Sequence, residues 1–214
     1  MRDKIIDAAT RLFSQRGFDG TSLQDIADAV GIRKASLFHH FPNKEDIRLK
    51  VLDQLLSHWN EVVPQILAAT SRGVDQSDAI IQEATTFFLA DPDRARFLTR
   101  EVLDSADGIK SLLTSHLRPW FAVLCEHIRR GQRAGRVYDE VDPEAYLLQM
   151  INLVVCCTAT LGVLGPLIET EDGDRNRFLH RHVKELLRIS RASLFKPIED
   201  KDNKKENAPA AETA

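Results

Sequence analysis

TSLQDIADAVGIRKASLFHHFPNK, residues 21–44, holds two short amphipathic patterns on either side of a glycine and closes on a proline. Thr21 and Gln24 have the spacing of a T-x-x-Q capping box, which satisfies two amide donors that a helix start otherwise leaves orphaned. Leu23, Ile26, Ala27 and Val30 then fall at i, i+3, i+4 and i+7, one apolar helical face. Gly31 stands where a helix commonly ends on a left-handed residue, and Ile32 re-anchors the chain before a second helix predicted to begin near Arg33. At about 100° per residue, Leu37 and Phe41 share one side of that helix while Ala35, Ser36, Phe38 and His39 face away. Pro42 stops it. The pattern is a helix-turn-helix, with an inward pair that anchors and an outward set left for a partner.

The run GIRKASLFHHFPNKEDI, 31–47, resembles the signature of TetR-type transcriptional regulators, and the likeness extends upstream through AATRLFSQRGFDGTSLQDIADAVG to cover roughly residues 5–50. Farther on, RRGQRAGRVYDEVDPEAYLLQ, 129–149, is similar to the end of a long helix, a short connection and the Asp-Pro opening of the penultimate helix in that family. The resemblance implies that the second helix enters a DNA groove. Thr21, Lys34, Ser36 and Lys44 are then expected at phosphates, and Arg33, Ala35, Phe38 and His39 nearer base edges. His40 points partly inward and is expected to pack. Two positions depart from the family pattern: Arg33 stands where a small hydroxyl residue is frequent, and Phe38 where Tyr is usual. Phe38 cannot give a phosphate the hydrogen bond of a Tyr hydroxyl, but its ring can pack on a thymine methyl.

With 43% hydrophobic and 29% charged residues, the 214-residue chain has the composition of a soluble protein large enough for two helical units. Its net charge of −3 does not mark a nucleic-acid binder. Residues 1–50 carry nine Lys/Arg against seven Asp/Glu, so DNA affinity must come from local placement of charge. Cys125, Cys156 and Cys157 show no C-x-x-C spacing and no signal segment opens the chain, which points to the cytoplasm. The uncharged run 147–168 is long enough to cross a bilayer. It contains Gln149, Asn152, Gly162, Gly165 and Pro166 and has acidic flanks, so no membrane partner is expected.

Ile5, Ile6, Ala9, Leu12 and Phe13 make one face of a helix predicted over 2–16 and ended by Gly17. A long helix is predicted over 43–64, capped by Asn43, with Ile47, Val51 and Leu55 on one stripe and Leu49, Leu52, Leu56 and Trp59 on another; Pro64 should kink or end it. Further helices are predicted at about 75–90, 92–104, 108–133, 143–165 and 174–195, and no stretch alternates as a strand would. The fold class is all-α: an N-terminal three-helix helix-turn-helix DNA-binding domain, 1–46, joined to a larger helical domain, 47–195, with a disordered tail from 196 to 214.

The resemblance implies that the larger domain binds a ligand and dimerises. The 147–168 run and Leu179, Val183, Leu186, Leu187 and Leu194 offer more apolar surface than one core needs, and paired across a dyad they would form a four-helix bundle. Phe88, Phe97 and Trp120, with Arg100, Glu101 or His116 as polar groups, are candidates to line a small-molecule pocket. No metal or cofactor is expected: neither His39-His40 nor His180-x-His182 puts two imidazoles on one helical face. Cys156 and Cys157 are expected to be buried small hydrophobes, and the acidic loop at 171–174 a turn. No nucleophile-plus-base arrangement points to an enzyme. The expected function is a homodimeric repressor of a pseudo-palindromic operator, released by an unknown small-molecule effector. The alternative is a helical ligand-binding or adaptor protein whose head docks another protein.

Overall fold

In a computed structural model that describes residues 1–69, 73–104, 108–167 and 175–197, the chain forms nine α-helices. They are α1 (Arg2–Arg16), α2 (Leu23–Val30), α3 (Lys34–Phe38), α4 (Lys44–Ala69), α5 (Gly73–Ala90), α6 (Pro92–Asp104), α7 (Gly108–Arg133), α8 (Pro143–Leu164) and α9 (Arg175–Leu194). A 3-10 turn, Gly165–Leu167, closes α8. Among the described residues the extended pairing is one isolated antiparallel bridge, Val137 to Phe195, so the all-α reading stands. The 171–174 loop and the tail beyond 197 lie outside the described residues.

The first core belongs to the head. Ile5, Ala9 and Phe13 of α1 meet Ile26 of α2, Leu37 of α3 and Phe41, all buried. Helix α4 adds Ile47, Val51, Leu52 and Leu55 to the same cluster, so the head is closed by the helix that leads out of it. Helix α4 runs unbroken across the 46/47 position, so the head and the larger helical region share one helix. Leu49, expected on its core-facing stripe, is instead exposed.

A second core lies between α4, α5, α6, α7 and α8, built on Trp59, Val63, Phe88, Trp120 and Val154. Helix α6 is the wedge between the two. Phe97 faces the head and stacks on Phe13 with ring centroids 5.9 Å apart. Ala95 and Leu98 pack on the second core. Ser14 of α1 adds a hydrogen bond to Asp93 Oδ1 at 2.8 Å, tying the first helix to the start of α6.

Four sequence-based boundaries are corrected. The α2 cap is Ser22, not Thr21: Ser22 Oγ accepts from Asp25 N–H at 3.1 Å, and Asp25 Oδ2 accepts from Ser22 N–H at 2.8 Å. Thr21 is unavailable because its hydroxyl turns inward and donates to Gly17 O at 2.8 Å. Helix α3 stops at Phe38, with His39 and His40 in a turn, since a residue before proline is pushed out of the helical region and Phe41 precedes Pro42. Pro64 neither ends nor breaks α4, which continues to Ala69. Asn60, whose carbonyl loses its helical partner there, is exposed, so water can take up the bond. Lys196 does not begin a loose tail: its N–H donates to Arg136 O at 2.9 Å, and its ammonium reaches Asp139 Oδ2 at 2.7 Å.

Helix α8 is long and apolar enough to cross a membrane, with a mean hydropathy of 2.0, yet only 17% of that apolar window is buried within the chain. Its covered side meets α5, α6 and α7. Its other side leaves Leu148, Val163 and Leu164 more than half exposed, at 56%, 78% and 51%. Cys156, expected buried, is exposed on this helix, while Cys157 is partly covered. Leu186 and Leu194 of α9, counted toward the same surface from the sequence, are buried inside the chain.

Candidate nucleic-acid interface and helical-core cavity

The head presents one surface built by a short chain of local causes. Gly31 adopts φ 76, ψ 35, a left-handed conformation that side chains resist, and its N–H closes α2 on Ala27 O and Asp28 O. The chain then turns and Arg33, extended at φ −72, ψ 143, opens α3. Leu37 is fully buried against α1 and α2, which fixes the roll of a helix only five residues long. The opposite side therefore faces outward: Arg33, Lys34, Ala35, Ser36 and His39 are exposed, and Phe38 is 45% exposed. Neither Arg33 nor Lys34 is held in an ion pair among the described residues. This side carries two cations outside any ion pair among the described residues, and an exposed aromatic ring.

Two residues expected on this surface have other roles. Thr21 is 1% exposed, its hydroxyl spent on Gly17 O and Leu12 O, and it cannot reach a phosphate. Lys44 donates to Phe18 O at 2.7 Å and Thr21 O at 2.9 Å, with its ammonium 4.1 Å from the centre of the Phe18 ring. It clamps the α1–α2 connection instead of projecting from it. Sequence spacing could not show either, because both depend on how the 17–21 loop folds over the start of α4.

Behind the head, the second core encloses a cavity of about 390 Å³. Trp59, Ile81, Phe88, Trp120, Met150 and Val154 are among the residues of its wall. Of the pocket candidates, Phe88 and Trp120 line it and the other four do not. Phe97 is buried in the head core, Arg100 is exposed beside Gly17, and Glu101 pairs with Arg48. His116 Nε2 faces Asp53 Oδ1 at 3.0 Å on the α4–α7 contact. The helical period explains the group error: Phe97 and Glu101 are four apart and share the side of α6 that faces the head.

The polar groups that do border the cavity come from elsewhere. Gln76 donates to Leu67 O at 2.9 Å, and the Tyr146 hydroxyl lies 2.7 Å from Ser190 Oγ. Burial pushes the Tyr146 hydroxyl pKa up, so it stays protonated near neutral pH. The indole N–H of Trp120 is buried with no acceptor among the described residues, a cost that a bound molecule carrying an acceptor would remove. His127, Arg130 and Arg136 complete the rim; the sequence signal for them is the basic RRGQRAGR run at the end of α7.

Residues 5–51 match the family model for bacterial regulatory proteins of the tetR family. Over 59 residues the chain is 49% identical to the biofilm operon icaADBC HTH-type negative transcriptional regulator IcaR of Staphylococcus epidermidis, a match covering 28% of this chain and 32% of that protein. The chain thus spans about a third of the length of the curated relatives it matches. The whole fold is similar to the ketosteroid transcriptional regulator KstR2 of Mycobacterium tuberculosis, with TM-score 0.75, 16% identity, and 92% and 95% of the two chains covered. It is also similar to FadR from Bacillus subtilis in complex with stearoyl-CoA, with TM-score 0.71, 15% identity, and 90% and 99% covered.

Proposed function

We propose, from the match of residues 5–51 to the tetR family of bacterial regulatory proteins, that this chain is a DNA-binding transcriptional regulator and not an enzyme, acting as a homodimeric repressor that a small molecule releases from its operator. The observation that carries the reading is the outward ridge of α3. Leu37 is buried, while Arg33, Lys34, Ala35, Ser36, Phe38 and His39 stand clear of the fold. Lys34 and Ser36 serve phosphates; Arg33, Ala35, Phe38 and His39 lie nearer base edges. In this division of labour residues 1–46 read DNA and 47–195 hold the effector and pair the subunits.

One such ridge reads only a few base pairs, and a second copy supplies the rest. The uncovered side of α8, with Leu148, Val163 and Leu164 exposed, is the surface that supports pairing. A membrane would also accept this helix by length and hydropathy. The dimer is favoured because its other side is packed on α5, α6 and α7, which a spanning helix would have to leave. The proposed site of action is the cytoplasm, where the operator is met.

The cavity supports the effector role, and the stearoyl-CoA held by FadR of Bacillus subtilis is a precedent for a ligand in this fold. Release follows from position. Trp59 and Val63 wall the cavity on α4, and Ile47 and Val51 of the same helix sit in the head core. Coupling of about 1–3 kcal/mol between the sites would change operator affinity about 5- to 150-fold. The test is binding to mixed-sequence DNA as a function of salt. A regulator shows log affinity falling steeply and linearly with log salt, whereas a head that docks protein shows no such dependence.

A further inference from the structure

We infer that the cavity takes an amphipathic monoanion, an aliphatic carboxylate whose chain lies among Trp59, Phe88 and Trp120 and whose head group sits at His127, Arg130 and Arg136. The inference rests on the cavity being the effector site and names the chemistry of its occupant. It comes from an imbalance of charge at one end of an otherwise apolar space.

Three arginines close α7 and a fourth, Arg136, follows in the turn beyond it, and their partners differ. Arg129 pairs with Glu144, and Arg133 pairs with Glu126. Arg130 and Arg136, the two that border the cavity, have no carboxylate partner among the described residues. Of the acids on neighbouring elements, Asp78 pairs with Arg191 and Asp139 with Lys196; Asp75, in the first turn of α5, acts on Arg191, and Glu126, paired with Arg133, is also felt by Arg130. His127 lines the cavity with Arg130 and Arg136. Its pKa is lowered, first by burial and then by Arg130 and Arg136, with no carboxylate acting on it. An anion is the missing member of that set.

Backbone geometry brings the two arginines together. Gly131 accepts from both Arg136 N–H, at 3.0 Å, and Val137 N–H, at 3.2 Å, folding the 131–137 turn tightly. The fold needs glycine there, since a Cβ on Gly131 would come within 2.6 Å of Val137 Cγ2. The start of α5 closes the same end: a Cβ on Gly73 would lie 3.6 Å from His127 Nε2 and 3.8 Å from Phe195 Cε1. The amino end of an 18-residue helix adds a partial positive charge to the three side chains. Guanidinium groups match a carboxylate in geometry as well as in sign, and the apolar wall beyond them takes a hydrocarbon chain.

The chain's only two tryptophans, Trp59 and Trp120, both line the cavity, so intrinsic fluorescence reports its occupancy. The full chain is titrated with decanoate, decanol and decyltrimethylammonium, with isothermal calorimetry run beside the fluorescence. Decanoate is expected to bind about tenfold or more tighter than decanol, and the cation weakest. From hexanoate upward, each added methylene should tighten binding about fourfold until the cavity is full. Arg130→Gln with Arg136→Gln should bring decanoate down to the affinity of decanol and leave decanol unchanged; an unaltered thermal melt confirms that the double variant is folded. Equal binding of decanoate and decanol, preference for the cation, or equal loss of both ligands in the double variant would overturn the inference. Saturable decanoate binding that leaves operator affinity unchanged would instead overturn the effector reading, and no saturable binding by any of the three overturns both.

Discussion

Arg48 Nε donates to Glu101 Oε2 at 2.7 Å, a buried ion pair that ties the head end of α4 to the far end of α6. Glu45, one turn back at 3.3 Å, holds the other edge of the guanidinium. Glu101→Ala should lower stability in chemical denaturation by about 3 kcal/mol, because it removes the buried carboxylate that faces a buried cation; Glu101→Gln keeps a hydrogen-bond acceptor and should cost less. Burial raises the Glu101 pKa, against the pull of Arg48. A carboxyl whose folded pKa is raised contributes stability that is present below about pH 4 and lost as pH rises through the folded value. That loss should be missing from the pH profile of Glu101→Gln.

Arg33 and Lys34 should fail differently. Lys34→Ala weakens binding to every sequence and reduces the salt slope by about one charge, whereas Arg33→Ala relaxes preference at particular bases by about 1–3 kcal/mol. Titration against a selected operator and its single-base variants separates the two.

Lys44→Ala, by contrast, should leave the salt slope unchanged and lower the melting temperature of the protein. Its ammonium is engaged by Phe18 O and Thr21 O. A slope reduced as much as by Lys34→Ala would restore Lys44 to the DNA surface.

The α2 cap has a pH signature of the opposite sign to that of Glu101. Hydrogen bonds from Ser22, and then Arg16, hold the Asp25 pKa below the usual carboxylate range. The stability it contributes is present above the ordinary carboxylate pKa and lost as pH falls through the lowered value. Ser22→Ala should reduce this acid-side dependence and lower the melting temperature at neutral pH, whereas Thr21→Ser, which keeps the inward hydroxyl, should leave the acid-side dependence in place.

Leu148→Glu or Val163→Glu places a charge on the uncovered side of α8 without disturbing its packed side. Each should weaken pairing by at least about tenfold, roughly 1.4 kcal/mol, while helicity stays unchanged. Sedimentation across the micromolar range reads the shift toward monomer.

Local signals made the head legible in sequence, and tertiary ones hid the cavity. Gly31, Leu37 and Phe41 act through backbone conformation and helical period, which any stretch of sequence displays. Thr21 and Ser22 are adjacent hydroxyls either of which can cap a helix, and only the inward bond to Gly17 decides between them. Pro64 does not end α4, because its cost depends on whether water reaches Asn60. Phe97, Arg100, Glu101 and His116 resembled pocket residues by type, but α6 turns the first three away from the cavity and His116 faces Asp53. What replaces them, His127, Arg130 and Arg136, comes from a turn whose tightness rests on Gly131.

Selection of bound sequences from random duplex DNA with the full chain tests the central claim most directly. The account predicts enrichment of one motif with two-fold symmetry, its half-site centres about one helical turn, or another whole number of turns, apart. Recovery of no enriched motif, or of an asymmetric single half-site, would contradict it.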